Sequence, residues 1–233
     1  VLNGTKKFIT NIGLDNASIV LVAATVAGPD NKENISTFIV PKDAPGFKLG
    51  KKYRKMAWHA SATQEVILDD CRIPKKHLLG DPDRGFAQHL AVLETGRISI
   101  AAMAVGVAQA CLDESLRYAR ARQQFGQPIF NFQAVQFKLA DMAVAIELAR
   151  TQYLKAAWLK DQGRPHTFET SAAKLYASEM VEKVASDAVQ IHGGYGYMEE
   201  YPVSRYYKSV KLLQIVEGTS EVQRMLIART LKK

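Results

Sequence analysis

Cysteine is scarce in this 233-residue sequence: Cys71 and Cys111 stand far apart and form no Cys-x-x-Cys pair. A disulfide framework and a cysteine-based zinc site are disfavoured, and a reducing compartment fits. The histidines at 59, 77, 89, 166 and 192 show no ligand spacing, so no metal site is expected. A Gly-x-Ser-x-Gly nucleophile elbow is missing too. No unbroken apolar run approaches the ~18 residues of a membrane span, and no signal peptide is recognisable; membrane insertion is not expected. Acid is in deficit: 31 Lys and Arg against 23 Asp and Glu leave a net charge of +8. The basic residues are scattered instead of interleaved with aromatics, so a small anionic molecule fits better than nucleic acid. An initiator Met is also lacking. Asn3-Gly4, a strong hairpin signal, has only Val1 and Leu2 before it. The expectation is a hairpin missing its first strand, in the later part of a longer protein.

What is present falls into two halves. Residues 1 to about 75 read as strands: Thr5–Thr10, Ser18–Val26, Ile35–Val40, Phe47–Lys52 and Gln64–Leu68. Turns at Gly28-Pro29-Asp30-Asn31 and Pro41-Lys42-Asp43-Ala44-Pro45-Gly46 punctuate them, and Asp69-Asp70 helps to close the block. After Asp81-Pro82-Asp83-Arg84-Gly85 the hydrophobic period changes from 2 to 3.6. Ile98, Ala101, Val105, Ala108 and Leu112 form one helical stripe. Val135, Leu139, Met142, Ile146, Ala149, Tyr153 and Ala156 form a second, a bundle seam. A third helix runs from about Ser171 to His192, with Ala173, Ala177, Val181, Val184, Ala188 and Ile191 inward, and Gly193-Gly194 stop it. The last covers about Ser220–Leu231, with Ser220 and Gln223 as a capping box. The predicted fold class is α+β: a small antiparallel β-barrel or sandwich domain (1–80) followed by an antiparallel four-helix-bundle-type domain (81–233). No internal repeat or low-complexity tract interrupts either.

Several motifs invite two readings. Gly193, Gly194 and Gly196 follow a helix and not a strand, which makes them a helix terminator before a dinucleotide loop. Tyr207 and Lys211 share the Tyr-x-x-x-Lys spacing of short-chain dehydrogenases, but no Rossmann fingerprint precedes them. Arg120, Arg122, Gln123, Gln124, Phe125 and Gly126 form a basic, amide-rich helix end beside an aromatic. They are either dipole-compensating cations or a guanidinium clamp for a phosphate. In QIVEGTSEVQR, residues 214–224, an apolar segment ends in Glu217 at the threshold of the last helix. Glu217 is either a dipole-stabilised loop acid or a base aimed at a substrate.

Taken in order, these motifs resemble the acyl-CoA dehydrogenase family. The resemblance runs through Asn3-Gly4-Thr5-Lys6, Phe8-Ile9-Thr10-Asn11, Leu93-Glu94-Thr95-Gly96-Arg97, Arg122-Gln123-Gln124-Phe125-Gly126, Phe132 to Met142, Gln190-Ile191-His192-Gly193-Gly194 and Glu217-Gly218-Thr219-Ser220-Glu221. The short-chain, butyryl-type branch is the most similar. The family's middle β domain and C-terminal helical domain are represented; its N-terminal helical domain is not.

The resemblance implies a flavoenzyme that uses FAD to desaturate an acyl-CoA thioester to the trans-2-enoyl-CoA, passing electrons to an electron-transfer flavoprotein. Glu217 is implied as the α-proton base, its backbone N–H as a donor to the thioester carbonyl. Removal of such an acid from water on substrate binding would strengthen it as a base. Some relatives carry the base immediately before the arginine matched by Arg97; here that place is Gly96, which can remove no proton. Phe8, Ile9 and Thr10 are implied to lie against the flavin, and Phe8 stands where many relatives have Trp. Arg122, Gln124, Phe125, Gln190 and Gly194 are implied to approach a neighbouring subunit's FAD, and Thr219 and Glu221 to approach FAD beside the base. Glu94, Thr95, Gly96, Arg97, Val216 and Gly218 are implied on the substrate side. Val216 replaces the usual tyrosine, which puts the acyl preference in doubt. The implied assembly is a homotetramer, a dimer of dimers, in the cytoplasm of a bacterium or archaeon or in a mitochondrial matrix. An acyl-CoA oxidase and a redox-inactive helical assembly fragment remain alternatives.

Overall fold

The computed structural model describes residues 1–27, 33–82 and 84–232. The chain divides into two compact units, Val1–Val92 and Leu93–Lys233.

The first unit is antiparallel β structure. Strands β1 (Leu2–Thr10), β5 (Thr63–Cys71) and β4 (Phe47–Lys52) form one sheet in the order β1-β5-β4. Strands β2 (Ile19–Ala27), β3 (Glu33–Pro41) and β6 (Leu78–Leu79) form the second. Alternation decides which face is buried: Val66 and Leu68 are buried while Ile67 between them is half-exposed. Leu2, Ile12, Val22, Val40, Val66, Leu68 and Cys71 build one core from both sheets. Gly46, in the turn before β4, has φ +86°, and any Cβ there would strike the backbone of Asp69 and Cys71. Only glycine permits that approach.

Two expectations need correction here. Asn3-Gly4 is not a hairpin turn but part of β1, with Gly4 opposite Leu68 and a register shift between Leu2 and Gly4. The positive φ of Gly4, +139°, serves a bulge instead of a reversal, because β5 continues through Asp69-Asp70 and gives this end of β1 a partner. Asn3 Oδ1 accepts from the Asp70 N–H at 2.7 Å and Nδ2 donates to Asp70 Oδ1 at 3.0 Å. The turn expected at Gly28-Pro29-Asp30-Asn31 lies outside the described residues, as does Asp83.

The second unit is helical. Its helices are α1 (Gly85–Ala121, which starts within the first unit), α2 (Gln133–Asp161), α3 (Thr167–His192), α4 (Pro202–Val210) and α5 (Ser220–Thr230). A two-residue-per-strand hairpin, β7 (Gln123–Gln124) with β8 (Gln127–Pro128), joins α1 to α2. Helix α3 is the hub, packed by α2, α4 and α5. Its stripe of Ala173, Ala177, Val181, Val184, Ala188 and Ile191 is buried as the 3.6 period requires, and small side chains let its neighbours come close. Arg150 donates to Gln109 at 2.9 Å between α2 and α1. Asp187 accepts from Lys138 at 3.0 Å and Lys183 at 3.1 Å. Burial alone would raise the Asp187 carboxyl, but these two ammonium groups outweigh it and hold it below the usual carboxylate range.

By length and composition α1 is apolar enough to cross a membrane, which the lack of an unbroken apolar run does not suggest. Ser, Gly and Gln break the run without charging it. Its buried face, including Ala101, Ala104, Val105, Ala108 and Cys111, is nevertheless bundle core. Helix α4 was not anticipated: nine residues opened by Pro202 at the first turn carry too short a stripe to read. At α5 the capping residue is Thr219, whose hydroxyl accepts from the Val222 N–H at 3.4 Å, and not Ser220. The Gln223 side chain is withdrawn from any capping box because it bonds the preceding loop instead.

Candidate active site

Glu217 follows a 3-10 turn over Lys211–Gln214 that buries Leu213, and it precedes the cap of α5. Its φ is +55° and that of Gly218 is +90°, two successive left-handed residues. A non-glycine residue there is strained and persists only when its surroundings hold it. The holders are visible. Gln223, fully buried, donates Nε2 to the Glu217 carbonyl at 3.3 Å and to the Gly218 carbonyl at 2.9 Å. Lys174 of α3, also fully buried, donates Nζ to the Gly218 carbonyl at 2.7 Å and to the Gln214 carbonyl at 3.2 Å.

The half-buried Glu217 side chain faces α1. A Cβ built on Gly96 would collide with Glu217 Oε2 and lie 2.9 Å from its Cδ. Position 96 is open because the carboxylate occupies that space. One residue on, Arg97 is 5% exposed. Burial pulls its guanidinium below the usual arginine range, while the charges of Glu94 and Glu217 oppose that shift. Arg97 Nε and Gln223 Oε1 are buried without a hydrogen-bond partner among the described residues. Buried polar atoms usually find a partner, so each of these two is an exception to the packing around it. Val216, Gly218 and Thr219 are half-buried beside Glu217, and Glu221 is exposed in the first turn of α5. The Glu221 carboxyl is held low by its own backbone N–H and the Thr219 hydroxyl. Glu94 is partly committed elsewhere: it accepts from the Thr167 hydroxyl at 2.5 Å and lies 3.9 Å from His166. Thr95 is exposed on α1.

A second feature lies where α1 and α3 end. A groove of about 540 Å³ is lined by Tyr118, Arg122, Gln124, His192, Gly194 and Tyr195, among others. Three of the sequence-predicted cofactor residues therefore meet. The Arg122 guanidinium sits 5.6 Å from the centre of the Tyr195 ring, and no carboxylate among the described residues pairs with it. Under them His192, 3% exposed, stacks on Tyr118 at 4.3 Å; burial pushes its pKa down. Phe125 caps the β7–β8 turn with φ +52° and is 92% exposed. An aromatic held outward in a left-handed conformation points to a contact made by its ring. Gln190 does not line this groove; it lines a neighbouring cavity with Ser186, Gly196 and Tyr207.

The third set lies in the first unit. At the register shift between Lys6 and Ile9, Phe8 takes φ +59° and is 69% exposed, its ring centre 5.1 Å from that of Tyr53. The bulge turns Phe8 outward. Ile9 is half-buried and Thr10 exposed.

Sequence reading missed Lys174, Gln223 and the aromatic floor of Tyr118 and Tyr195. A signal for Lys174 existed: it stands three residues before Ala177 and seven before Val181, the one charged residue on the buried face of α3 before His192.

Residues 83–232 match the family model for the acyl-CoA dehydrogenase C-terminal domain, and residues 1–71 match that for the middle domain. The chain belongs to the acyl-CoA dehydrogenase family. It is 54% identical to the probable acyl-CoA dehydrogenase YngJ of Bacillus subtilis (strain 168), over all of this chain and 61% of that protein. It is 49% identical to the mitochondrial short-chain specific acyl-CoA dehydrogenase of Rattus norvegicus, over 98% of this chain and 55% of that one. Among solved structures it is similar to butyryl-CoA dehydrogenase from Megasphaera elsdenii. The TM-score is 0.94 at 44% identity, over 100% of this chain and 60% of the other. The chain thus spans little more than half the length of these relatives.

Proposed function

We propose that the complete protein is an FAD-dependent acyl-CoA dehydrogenase of the short-chain type, converting a saturated acyl-CoA thioester to the trans-2-enoyl-CoA. The observation that carries this reading is Glu217, held at positive φ by buried donors and aimed into the space above Gly96. In this proposal Glu217 removes the α proton, and its backbone N–H donates to the thioester carbonyl as negative charge develops there. Arg97, buried beside Glu217, balances that charge. Val216, smaller than an aromatic, leaves room beside the reacting carbons.

The residues present suit a flavin dinucleotide: an outward aromatic at Phe8, a guanidinium at Arg122 that no carboxylate among the described residues pairs with, and backbone left bare at Gly194. We assign Phe8, Ile9 and Thr10 to the flavin ring. Arg122, Gln124, Phe125, Gln190 and Gly194 go to a neighbouring subunit's dinucleotide, and Thr219 and Glu221 to FAD near the base. When bound, FAD supplies the acceptor for the hydride that leaves the β carbon. Residues 1–80 form the middle domain and 81–233 the C-terminal domain in this assignment. Electron-transfer flavoprotein is the proposed acceptor protein. The proposed homotetramer is supported by apolar side chains left exposed on α2, Phe137, Val144, Leu148, Leu154 and Trp158. The proposed compartment is the cytoplasm of a prokaryote or the mitochondrial matrix of a eukaryote.

The full-length protein should be yellow, and butyryl-CoA should bleach its flavin anaerobically. Reoxidation should be faster with electron-transfer flavoprotein than with oxygen. A flavin that no saturated acyl-CoA bleaches would end this reading. Arg122→Ala should purify with a helical spectrum unchanged and FAD largely lost, because it removes a charge-assisted phosphate contact and no core packing. Undiminished FAD content in that variant would remove Arg122 from the cofactor set.

A further inference from the structure

A lysine with no exposed surface stands behind the proposed base. Lys174 projects from the inward stripe of α3, where its neighbours on that face are Thr170, Ser171, Ala173, Ala177 and Ser178. A buried ammonium is costly, and a methionine would fill similar volume without a charge to desolvate. Packing alone therefore does not account for it. Its Nζ donates to the Gln214 carbonyl at 3.2 Å and the Gly218 carbonyl at 2.7 Å. These carbonyls flank Glu217 on its two sides. Neither belongs to a continuing helix ladder: the 3-10 turn ends at Gln214, and Gly218 precedes the cap of α5. Such groups need outside donors. Gln223 serves the C-terminal side alone, through the Glu217 and Gly218 carbonyls. Lys174 bridges both.

We propose that Lys174 is a positioning residue for Glu217: its ammonium clamps the Gln214 and Gly218 carbonyls, sets the left-handed turn between them, and thereby fixes where the carboxylate points. The inference rests on the reading of Glu217 as the base. The surroundings agree with a cation kept for a purpose. Burial draws the Lys174 ammonium down to about 8. The carboxylates of Glu221, Glu179 and Glu217 work against that shift, and the charge of Arg97 works with it. The carboxylates around Lys174 compensate a charge that the bundle interior disfavours. A base displaced by about 1 Å loses on the order of a hundredfold in rate, so a clamp on the turn acts on chemistry without touching substrate.

The test is Lys174→Met in the full-length, FAD-loaded protein, with Glu217→Gln alongside. Two readouts are taken: turnover of butyryl-CoA, and loss of α-deuterium to solvent from a 3-thiaacyl-CoA. The sulfur of that analogue replaces the β carbon, so the base can act but no hydride can leave. For Lys174→Met we expect kcat and the exchange rate to fall together by about 10- to 100-fold, with KM and flavin content near wild type. A lysine that only supports the fold would lower the unfolding temperature and leave both rates intact. Rates within roughly twofold of wild type, beside a dead Glu217→Gln, overturn the role of Lys174 and spare the base. Normal exchange in Glu217→Gln overturns the base and the clamp with it. If Lys174→Met is not recovered folded, Lys174→Gln, whose uncharged amide nitrogen sits on a stem one atom shorter and cannot span both carbonyls as the ammonium does, decides. A reduced exchange rate supports the clamp, and a wild-type rate refutes it.

Discussion

Glu217→Gln in the full-length protein is expected to fold, retain FAD and bind acyl-CoA, yet barely reduce its flavin. Glutamine keeps the side-chain shape and the backbone donor at position 217 but accepts no proton from carbon. Loss of general-base catalysis alone is worth about 10²–10⁴-fold, or roughly 3–5 kcal/mol of barrier. The competing description, a loop acid favoured by the N-terminus of α5, predicts a stability change of about 0.3–1 kcal/mol and ordinary turnover. The positive φ of Glu217 already weighs against it, since a dipole contact does not require a strained residue. Stopped-flow bleaching by butyryl-CoA separates the two. A rate within roughly threefold of wild type would place the base elsewhere.

Moving the base across the site should succeed in part. Gly96→Glu alone should be disabled, because its Cβ meets the Glu217 carboxylate, with Cδ only 2.9 Å away. Glu217→Gly empties that space and gives the φ of +55° to the residue that tolerates it best, at the cost of the base. Combining Glu217→Gly with Gly96→Glu puts a carboxylate on α1 directed at the vacated volume. It also replaces a glycine that weakens an α-helix by about 1 kcal/mol. We expect the double variant to bleach at least about tenfold faster than Glu217→Gly, while remaining below wild type because the new carboxylate lacks the tuned orientation of the old. A folded, FAD-loaded double variant no faster than Glu217→Gly would show that positions 96 and 217 do not share a reacting space.

Much was legible along the chain because it rests on local rules. The period-2 runs became strands β1 to β5, and the 3.6-period stripes became the buried faces of α1, α2 and α3. The change of period near Gly85 separated strand from helix, and Gly193 ended α3 at φ +58° as the terminator reading requires. Ordered motifs were enough to identify the family, because seven segments in order carry far more information than any one of them. QIVEGTSEVQR marked Glu217 for a local reason as well: an acid ends an apolar segment at the threshold of a helix.

The tertiary structure decided what depends on partners remote in sequence. Asn3-Gly4 has the chemistry of a turn, and only the pairing with Asp70 and Leu68 made it a bulge. Ser220 and Gln223 have the spacing of a capping box, yet Gln223 was taken by the Glu217 and Gly218 carbonyls and the cap passed to Thr219. Glu94 accepts from Thr167 of another helix, a pairing that no local pattern announces. The facing of Gly96 and Glu217, and the reach of Lys174 to both sides of Glu217, join residues of separate helices and a loop. Periodicity states which side of a helix turns inward. Which groups meet there is settled by packing, where a buried polar atom takes whatever partner the fold brings within reach.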